Sequence, residues 1–528
     1  MTSFDETFQA AYAFNEPCIE VGNVTRDGSP RADLPIRVPL RMFNRHGLIA
    51  GSTGTGKTRT LQLFAEGLSK NGVPVFLADV KGDLAGMALP GVVNDKLTAR
   101  MKSVGKDFVP ASFPVEFFSL TGARGTQVRA TVSSFGPVLL GKILDLTDVQ
   151  QSVLAMVFKY CDDKQMPLLD FADLRSVLTY LADEGKAELK QYGGMSGATV
   201  GVLVRKMVEL EQQGAAKFFG EPELEIADLM RTSSDGRGIV NILSLADVQD
   251  KPRLYSTFLM WLLGQFYYRM PEVGDVEKPK LVFFFDEAHL LFDDSSSALV
   301  EHIEQVARLI RSKGIGVFFI TQTPKDVDED VLAQLGNRVQ HAVRAFTAKD
   351  AKNIRATAST FPESEFYEID KLLTNMGTGE ALVTVLNPKG IPTPVASTQI
   401  LAPASLMSAV DDSVYLQATA MSSIAKKYAT PIDRESAHEI LKRKLDEAAA
   451  VEEVEAPPPP PRQSDRAPWE VPDEAPRRTT TARRPRKEKS AVDQIFGSRM
   501  AQNVARQATR TVTQSIVRGI FGMLKGRR

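Results

Sequence analysis

The residues Gly51-Ser52-Thr53-Gly54-Thr55-Gly56-Lys57-Thr58 decide the fold of this chain. They match the phosphate-binding pattern of a glycine, four variable residues, and then Gly, Lys and Ser or Thr. An apolar run at 47–50 precedes them, and a stretch with helical patterning at 59–68 follows them. The loop therefore connects a predicted strand to a predicted helix, which favours a phosphate-binding loop over a chance match in a turn.

Each residue type in this phosphate loop suits the binding of a nucleotide. Its glycines allow a tight turn whose backbone N–H groups point inward, and the start of the following helix adds its positive dipole end. Lys57 would reach the β- and γ-phosphates of ATP, and the Thr58 hydroxyl would coordinate Mg²⁺. We therefore expect ATP and Mg²⁺ as ligands. The predicted nucleotide-binding residues are Gly51, Ser52, Thr53, Gly54, Thr55, Gly56, Lys57, Thr58 and Arg59.

Composition indicates an ordinary globular protein, because 43% of the 528 residues are hydrophobic and 24% are charged. No apolar run reaches the length that crosses a bilayer, and the first residues lack the pattern of a signal peptide. Cys18 and Cys161 lie far apart in sequence, which argues against a disulfide framework. We therefore expect a cytoplasmic protein.

The formal net charge of −1 hides an uneven distribution of charge. Between Arg477 and Arg528 there are 14 Lys and Arg residues but only two acids, Glu488 and Asp493, which gives a net charge of about +12. Residues 1–476 must then carry about −13. Basic charge that could attract a polyanion is thus concentrated near the C-terminus.

Strand and helix patterning predicts an α/β fold. A second buried strand, at 73–78, follows the first helix and completes a βαβ unit, which implies a parallel sheet with its ligand at the carboxyl ends of the strands. Continuous apolar runs of this kind are typical of parallel strands that are buried on both faces. Further strands of this type are predicted at 238–245, 280–285, 316–322, 339–346 and 380–386.

Changes in composition divide the chain into seven predicted segments. The prolines at 457–461 and the Pro, Arg and Thr residues that follow are typical of a disordered linker. The segments are a short β element at 1–46, the first part of the nucleotide-binding core at 47–96, a large, mainly helical insertion at 97–235, the second part of the core at 236–402, a helical extension at 403–450, a disordered Pro- and Arg-rich linker at 451–490, and a basic amphipathic helix at 491–528.

The basic amphipathic helix at 491–528 is predicted from apolar residues that recur every four positions between Met500 and Ile516. Arg499, Arg506 and Arg510 lie on its other side. Such a helix can lie on an anionic membrane, contact nucleic acid or dock on protein. The pattern leaves all three partners open, so peripheral association with the inner membrane is one of the expectations.

Asp286 and Glu287 form the second part of the predicted catalytic site. They follow five apolar residues at the end of a predicted strand. Asp286 would hold Mg²⁺, usually through water, while Glu287 would orient and deprotonate the water that attacks the γ-phosphate. An Asp-Glu pair can also simply cap the next helix. The phosphate loop in the same chain favours the catalytic interpretation.

Two further residues complete the set of catalytic candidates, which is Lys57, Glu287, Gln322 and Arg311. Gln322 ends the next predicted strand, where its amide could sense the γ-phosphate or align water; alternatively it is an ordinary polar residue at a strand end. Arg311 precedes that strand and is our candidate for a cationic finger supplied across a subunit interface. The alternative for Arg311 is a solvated helix end.

Several of these motifs together resemble the FtsK/HerA superfamily of P-loop ATPases. They are the phosphate loop, Asp79-Val80-Lys81-Gly82-Asp83, the Asp286-Glu287 strand, Arg311 and Gln322. Four longer strings are similar to bacterial HerA-like proteins known as a domain of unknown function. These strings are 44–51, 217–222, 335–341 and 379–382, and the similarity covers about residues 15–400.

This resemblance implies a RecA-like core, Mg²⁺-dependent ATP hydrolysis, ring-shaped hexamers and movement of DNA through the ring. The β region at 1–46 is too short for the full N-terminal barrel of HerA. Our main hypothesis is an oligomeric ATPase motor that translocates DNA. The alternative is a membrane-recruited motor that acts on proteins or in secretion- or conjugation-type machinery. A third hypothesis is a structural nucleotide-binding protein that hydrolyses ATP slowly.

Overall fold

The computed structural model describes residues 3–455, except 293–296, 345–346 and 433. The described residues belong to one compact unit, Met1–Ala456. The predicted basic helix at 491–528 and most of the predicted linker lie outside the described residues. Within the described part of the chain, no helix is both long and apolar enough to span a bilayer.

Twelve strands of the described residues form one sheet. They are β1 (Cys18–Arg26), β2 (Ser29–Pro39), β3 (Gly47–Ala50), β4 (Val75–Asp79), β5 (Val115–Ser119), β6 (Thr126–Gln127), β7 (Val240–Ser244), β8 (Leu281–Phe285), β9 (Ile315–Thr321), β10 (Asn337–His341), β11 (Glu380–Thr384) and β12 (Ala396–Ile400). Their spatial order is β2-β1-β12-β11-β10-β3-β9-β8-β4-β7-β5-β6. Every pair from β10 to β6 is parallel, and every pair from β2 to β10 is antiparallel. The predicted α/β class with a mainly parallel sheet is confirmed.

Helices pack on both faces of this sheet. The α-helices are α1 (Phe4–Tyr12), α2 (Lys57–Lys70), α3 (Asp95–Ser103), α4 (Val132–Ile143), α5 (Asp148–Asp163), α6 (Phe171–Ala182), α7 (Lys186–Leu189), α8 (Gly197–Leu210), α9 (Ala216–Phe218), α10 (Pro252–Arg269), α11 (His289–Phe292), α12 (Ser297–Ile310), α13 (Glu329–Leu332), α14 (Ala348–Ala358), α15 (Ile369–Asn375), α16 (Asp412–Met421), α17 (Ser423–Tyr428) and α18 (Ala437–Glu455). Short 3₁₀ helices are Leu40–Arg45, Ala85–Ala88, Lys190–Tyr192, Ile226–Met230, Arg311–Lys313 and Pro324–Asp326, and a π-helical turn is Glu211–Ala215.

Strand β8 shows how the sheet is held between its two layers. Phe283 and Phe285 belong to the apolar cluster that contains α10, whereas Val282 and Phe284 belong to the cluster that contains α2. All four side chains are fully buried. Each fully buried aromatic or branched side chain stabilises the fold by about 1.5–3 kcal/mol. The position where β8 ends is therefore firmly fixed.

The structure corrects the prediction that the run at 380–386 is a parallel strand. Strand β11 is antiparallel to both β10 and β12. One of its faces packs with Phe8 and Tyr12, and the other packs with Ile354 and Leu373. Because both faces are buried, the run is continuously apolar whatever its direction. The apolar pattern indicates burial, and our prediction wrongly used it to indicate the direction of the strand as well.

Several predicted boundaries also differ from the structure. Residues 97–235, predicted as a mainly helical insertion, supply β5 and β6, which extend the sheet beyond β7. The predicted strand at 339–346 ends at His341. Residues 451–455, which we assigned to the linker, continue α18, because this stretch lacks the prolines that begin at Pro457.

His341 packs behind the phosphate loop and ties it to the sheet. Its Nδ1 lies 2.9 Å from the carbonyl oxygen of Glu380, so this nitrogen carries the proton and donates it. Its Nε2 then accepts a hydrogen bond from Thr60 Oγ1 in α2, at 2.8 Å. A Cβ atom at Gly51 would lie only 2.5 Å from the Cβ of His341. Burial lowers the pKa of His341 to about 4, so the ring is neutral at pH 7.

We expect acid to destabilise the fold through His341. Its folded pKa of about 4 lies below the ordinary value of 6.5. The stabilisation by neutral His341 is therefore present above pH 6.5 and is lost as the pH falls towards 4. Between pH 7 and pH 5 we expect this residue alone to lower the free energy of unfolding by about 2 kcal/mol. Denaturant unfolding of the parent and of His341→Asn at both pH values measures this contribution.

The matched control is His438→Asn, because His438 is exposed and lies in α18, away from the phosphate loop. The parent and this control should lose the same stability between pH 7 and pH 5, and His341→Asn should lose less. Equal losses in all three proteins would contradict the assignment.

Candidate nucleotide-binding site

The phosphate loop connects β3 to α2, which begins at Lys57. Gly51, Gly54 and Gly56 have φ angles of 150°, 78° and 121°. Residues other than glycine rarely adopt such angles, so these positions require glycine for the loop to form. The fold of the loop therefore follows directly from the spacing of its glycines.

Lys57 points back across this loop. Its Nζ donates to the carbonyl oxygen of Gly51 at 2.6 Å and to that of Ser52 at 3.2 Å. Burial is the largest influence on its pKa and lowers it, while the nearby carboxylates of Glu287 and Asp286 act to raise it. The ammonium group is thus held across the loop by the carbonyl oxygens of its first two residues.

Neighbouring segments brace the loop through its backbone and hydroxyl groups. The Thr55 hydroxyl donates to the carbonyl oxygen of Ser52 at 2.7 Å, and Gly379 N–H donates to the carbonyl oxygen of Thr55 at 2.8 Å. Ser52 Oγ accepts a hydrogen bond from the backbone N–H of Arg344 at 3.0 Å. Arg344 is exposed beside the loop and was not among the predicted site residues.

The remaining predicted loop residues lie at the start of α2 or just before it. Thr53 is exposed, and Thr58 is half-buried in the first turn of the helix. The guanidinium of Arg59 lies 3.9 Å from the carboxylate of Asp83, which follows β4. Arg59 therefore connects the loop helix to the segment after β4.

Asp286 follows β8 at the same edge of the sheet and is almost completely buried. Its Oδ1 accepts the backbone N–H of Glu287 at 2.9 Å, whereas its Oδ2 has no hydrogen-bond partner among the described residues. Burial raises the pKa of Asp286 to about 6. A buried carboxylate oxygen without a partner fits a divalent cation or a water molecule held by one.

Glu287 has a φ angle of 49°, in the left-handed region that residues other than glycine seldom adopt. Its side chain is only 9% exposed. Oε1 forms an ion pair with the ammonium of Lys81, and Oε2 lies 3.3 Å from Nδ1 of His289. Oε1 is thus paired, whereas Oε2 is buried and has no hydrogen-bond partner among the described residues.

Lys81 belongs to a short loop after β4 that is held from several sides. The carboxylate of Asp79 accepts the N–H of Gly82 at 2.8 Å and that of Leu84 at 3.2 Å. The side-chain amide of Gln249 donates to the carbonyl oxygen of Val80. Burial raises the pKa of Asp79 to about 7. The motif at 79–83 entered the prediction only through the family resemblance, and Lys81 had no predicted role, although its position at a strand end is a signal of one.

Gln322 follows β9 directly and is exposed. Strand β9 lies between β3 and β8, and Gly51 N–H donates to the backbone carbonyl of Gln322 at 3.2 Å. The structure therefore brings Gln322 to the same edge as the phosphate loop and the acidic pair.

Arg311 lies at the opposite edge of the sheet from its own phosphate loop. It begins the 3₁₀ turn before β9, and its guanidinium lies 4.0 Å from Asp275. The length of β9, roughly 20 Å at ~3.3 Å per residue, separates Arg311 from Gln322. Arg311 therefore does not contribute to the site of its own chain.

Two archaeal proteins are similar in sequence over about two thirds of their length. The DNA double-strand break repair helicase HerA of Sulfurisphaera tokodaii is 22% identical over 392 residues, which cover 70% of this chain and 67% of that protein. HerA of Sulfolobus acidocaldarius is 20% identical over 368 residues, which cover 67% of this chain and 64% of that protein.

Two solved structures resemble the fold. The plasmid coupling protein TrwB in complex with ADP and Mg²⁺ is 16% identical, with a TM-score of 0.46, and the match covers 77% of this chain and 96% of TrwB. VirB4 of Thermoanaerobacter pseudethanolicus is 16% identical, with a TM-score of 0.45, and the match covers 74% of this chain and 98% of VirB4.

The family model described as helicase HerA-like C-terminal matches residues 25–528 of the chain. This match includes the phosphate loop, the acidic pair after β8 and almost every described element. The chain therefore belongs to the helicase HerA-like C-terminal family, within the FtsK/HerA superfamily of P-loop ATPases.

Proposed function

We propose that this protein is a Mg²⁺-dependent ATPase that assembles into a ring and uses ATP hydrolysis to translocate DNA. One observation carries the proposal. The parallel order β3-β9-β8-β4 places Lys57, Asp286, Glu287 and Gln322 at the carboxyl ends of neighbouring strands. A phosphate-binding loop beside two carboxylates is the arrangement that phosphoryl transfer requires.

The binding residues have separate roles in this proposal. The N–H groups of the phosphate loop and the ammonium of Lys57 hold the β- and γ-phosphates. The Thr58 hydroxyl and the unpartnered Oδ2 of Asp286 are suited to hold Mg²⁺ and its water. Bound Mg²⁺ supplies neutralisation of the charge on the β- and γ-phosphate oxygens.

Glu287 acts as the general base, which takes a proton from the attacking water. Its carboxylate lies beside Asp286 and within electrostatic range of Lys57. Gln322 lies one strand nearer to the phosphate loop, where its amide can orient that water. A carboxylate and an amide on adjacent strands can therefore hold one water molecule between them.

Glu287→Gln should lower the rate of ATP hydrolysis by about 10²- to 10⁴-fold, because an amide cannot accept the proton of the water. Lys57→Ala should abolish turnover through loss of the phosphate contact. Phosphate release at saturating ATP measures both effects, and circular dichroism confirms that the variants fold. Glu184→Gln, at an exposed position between α6 and α7, is the matched control and should keep the parent rate. Parent-like turnover by Glu287→Gln would show that another group is the base.

Arg311 serves the site of a neighbouring subunit in this proposal. Its distance from its own loop and its half-buried position at the amino ends of the strands support a role in trans. A ring is the simplest assembly in which one edge of each subunit meets the opposite edge of the next.

Arg311→Ala should lower turnover by at least about 10³-fold, because a finger arginine stabilises charge in the transition state. Mixing this variant with Lys57→Ala should restore part of the activity, since an Arg311→Ala subunit with an intact loop can then receive Arg311 from its neighbour. Arg308→Ala is the control, because Arg308 pairs with Glu304 on its own helix. Parent-like turnover by Arg311→Ala, or no recovery on mixing, would remove Arg311 from the site.

DNA is the proposed substrate because the archaeal relatives described above are DNA double-strand break repair helicases. One observation favours the alternative of a membrane-recruited motor that acts on proteins or in secretion- or conjugation-type machinery. Residues 1–476 carry a net charge of about −13, whereas the predicted basic helix at 491–528 suits an anionic membrane. A structural protein that hydrolyses ATP slowly is the third candidate.

Double-stranded DNA should stimulate ATP hydrolysis by the full-length protein, and the stimulation should weaken when salt rises from about 50 to about 200 mM, because DNA binding releases counterions. Steady-state ATPase assays with and without DNA at both salt concentrations provide the measurement. Brisk hydrolysis that DNA leaves unchanged would favour the protein-directed motor. Negligible turnover under every condition would favour the structural protein.

A chain that ends at Ser490 tests the partner of the predicted basic helix in the same assay and in liposome flotation. Loss of DNA stimulation in this shorter chain would assign the helix to DNA. Loss of flotation on anionic vesicles would assign it to the membrane, and equal flotation of both chains would exclude that option.

A further inference from the structure

We propose that Lys81 is a positioning residue that holds Glu287 away from the attacking water until ATP is bound. The inference rests on the proposed role of Glu287 as the general base. It assigns to the loop after β4 the task of suppressing hydrolysis in the resting protein.

The contact that carries this inference is the ion pair between Lys81 Nζ and Glu287 Oε1. The other carboxylate oxygen of Glu287, Oε2, lies 3.3 Å from Nδ1 of His289. A general base must present a free lone pair to the water within hydrogen-bond reach. In this arrangement Oε1 is paired with Lys81, and Oε2 is buried without a hydrogen-bond partner among the described residues, so neither oxygen is open to a water molecule beside the phosphate loop.

The backbone of Glu287 is held in place, so its carboxylate can turn only if its side-chain contacts change. Its φ angle of 49° is a strained value that only a well-determined surrounding structure maintains. Asp286, which precedes it, is fixed by burial at the end of β8. The direction of the Glu287 carboxylate is therefore set by the side chains that contact it.

Lys81 is suited to a reversible contact because only its side chain needs to move. The bonds from Gly82 and Leu84 to Asp79, and from Gln249 to Val80, fix the backbone around it. The side chain of Lys81 is 49% exposed, whereas that of Glu287 is 9% exposed. The ammonium can therefore leave the carboxylate for water or for another anion while the loop stays in place.

Nucleotide binding offers such an anion close to Lys81. The positive charge of Lys81 is near enough to lower the pKa of Lys57, although burial of Lys57 has the larger effect. A γ-phosphate held by Lys57 would then lie within the electrostatic reach of Lys81 as well. Movement of the Lys81 ammonium towards that phosphate would free Glu287 at the moment when its substrate is present.

Two other roles for Lys81 make different predictions. If Lys81 only neutralised the surrounding carboxylates, its removal would leave Glu287 less well placed and turnover would fall. If it only stabilised the fold, its removal would lower the thermal stability and leave turnover per folded molecule unchanged. Neither role predicts faster hydrolysis after the ion pair is removed.

The test compares full-length parent, Lys81→Met and Lys81→Arg by steady-state ATP hydrolysis without DNA. We expect kcat of Lys81→Met to rise about threefold or more, which corresponds to the loss of one partly exposed ion pair. KM for ATP should stay within about twofold, because the contact acts on the base and not on nucleotide binding. Lys81→Arg should return kcat towards the parent value, since a guanidinium can pair with the same carboxylate. Lys278→Met, at an exposed position whose ammonium donates to the backbone carbonyl of Asn71, should match the parent.

The outcomes separate this inference from the proposed function. If the parent hydrolyses ATP, Glu287→Gln does not, and kcat of Lys81→Met equals or falls below that of the parent, the holding role of Lys81 is overturned and the proposed ATPase stands. If the parent does not hydrolyse ATP, or Glu287→Gln matches it, both are overturned. Circular dichroism confirms folding, and Lys81→Gln replaces Lys81→Met in the same comparison if the methionine variant does not fold.

Discussion

The site depends on the parallel register of β3, β9, β8 and β4, because parallel strands end at a common edge. This register brings together groups that are far apart in sequence, such as Lys57 and Glu287. Close packing of the buried side chains on both faces of β8 fixes the register, since a shift by one residue would place each side chain in a space shaped for another. The arrangement of these groups is therefore as stable as the packing of the strands that carry them.

At this edge of the sheet, several carboxylates lie close to a few cationic side chains. Burial raises the pKa values of Asp79 and Asp286 to about 7 and about 6, so the acids are held in an environment that disfavours their charge. Lys57 and Lys81 offset this charge from opposite sides. A bound cation would relieve the repulsion between these carboxylates. Local electrostatics therefore favour the binding of Mg²⁺ together with nucleotide.

Local pattern was enough to predict the phosphate loop, the mainly parallel α/β fold and the position of the acidic pair after β8. Glycine spacing and continuous apolar runs report backbone geometry and burial directly. The contacts of Lys81 and His341 were not predicted, because a side-chain contact between strand ends depends on which strands are neighbours in the sheet. The direction of β11 was predicted wrongly for a related reason, since burial on both faces does not depend on strand direction.

The separation of Arg311 from its own phosphate loop gives each subunit a polarity. One edge of the sheet carries the loop, and the opposite edge carries the guanidinium. In a twofold interface every contact occurs twice, so both ends of the sheet of each subunit would have to lie within that one interface for the two loops to receive a guanidinium. The proposed use of Arg311 in trans is met more simply by head-to-tail contacts, in which each end of the sheet takes part once, and closure of these contacts into a ring leaves no loop without a guanidinium.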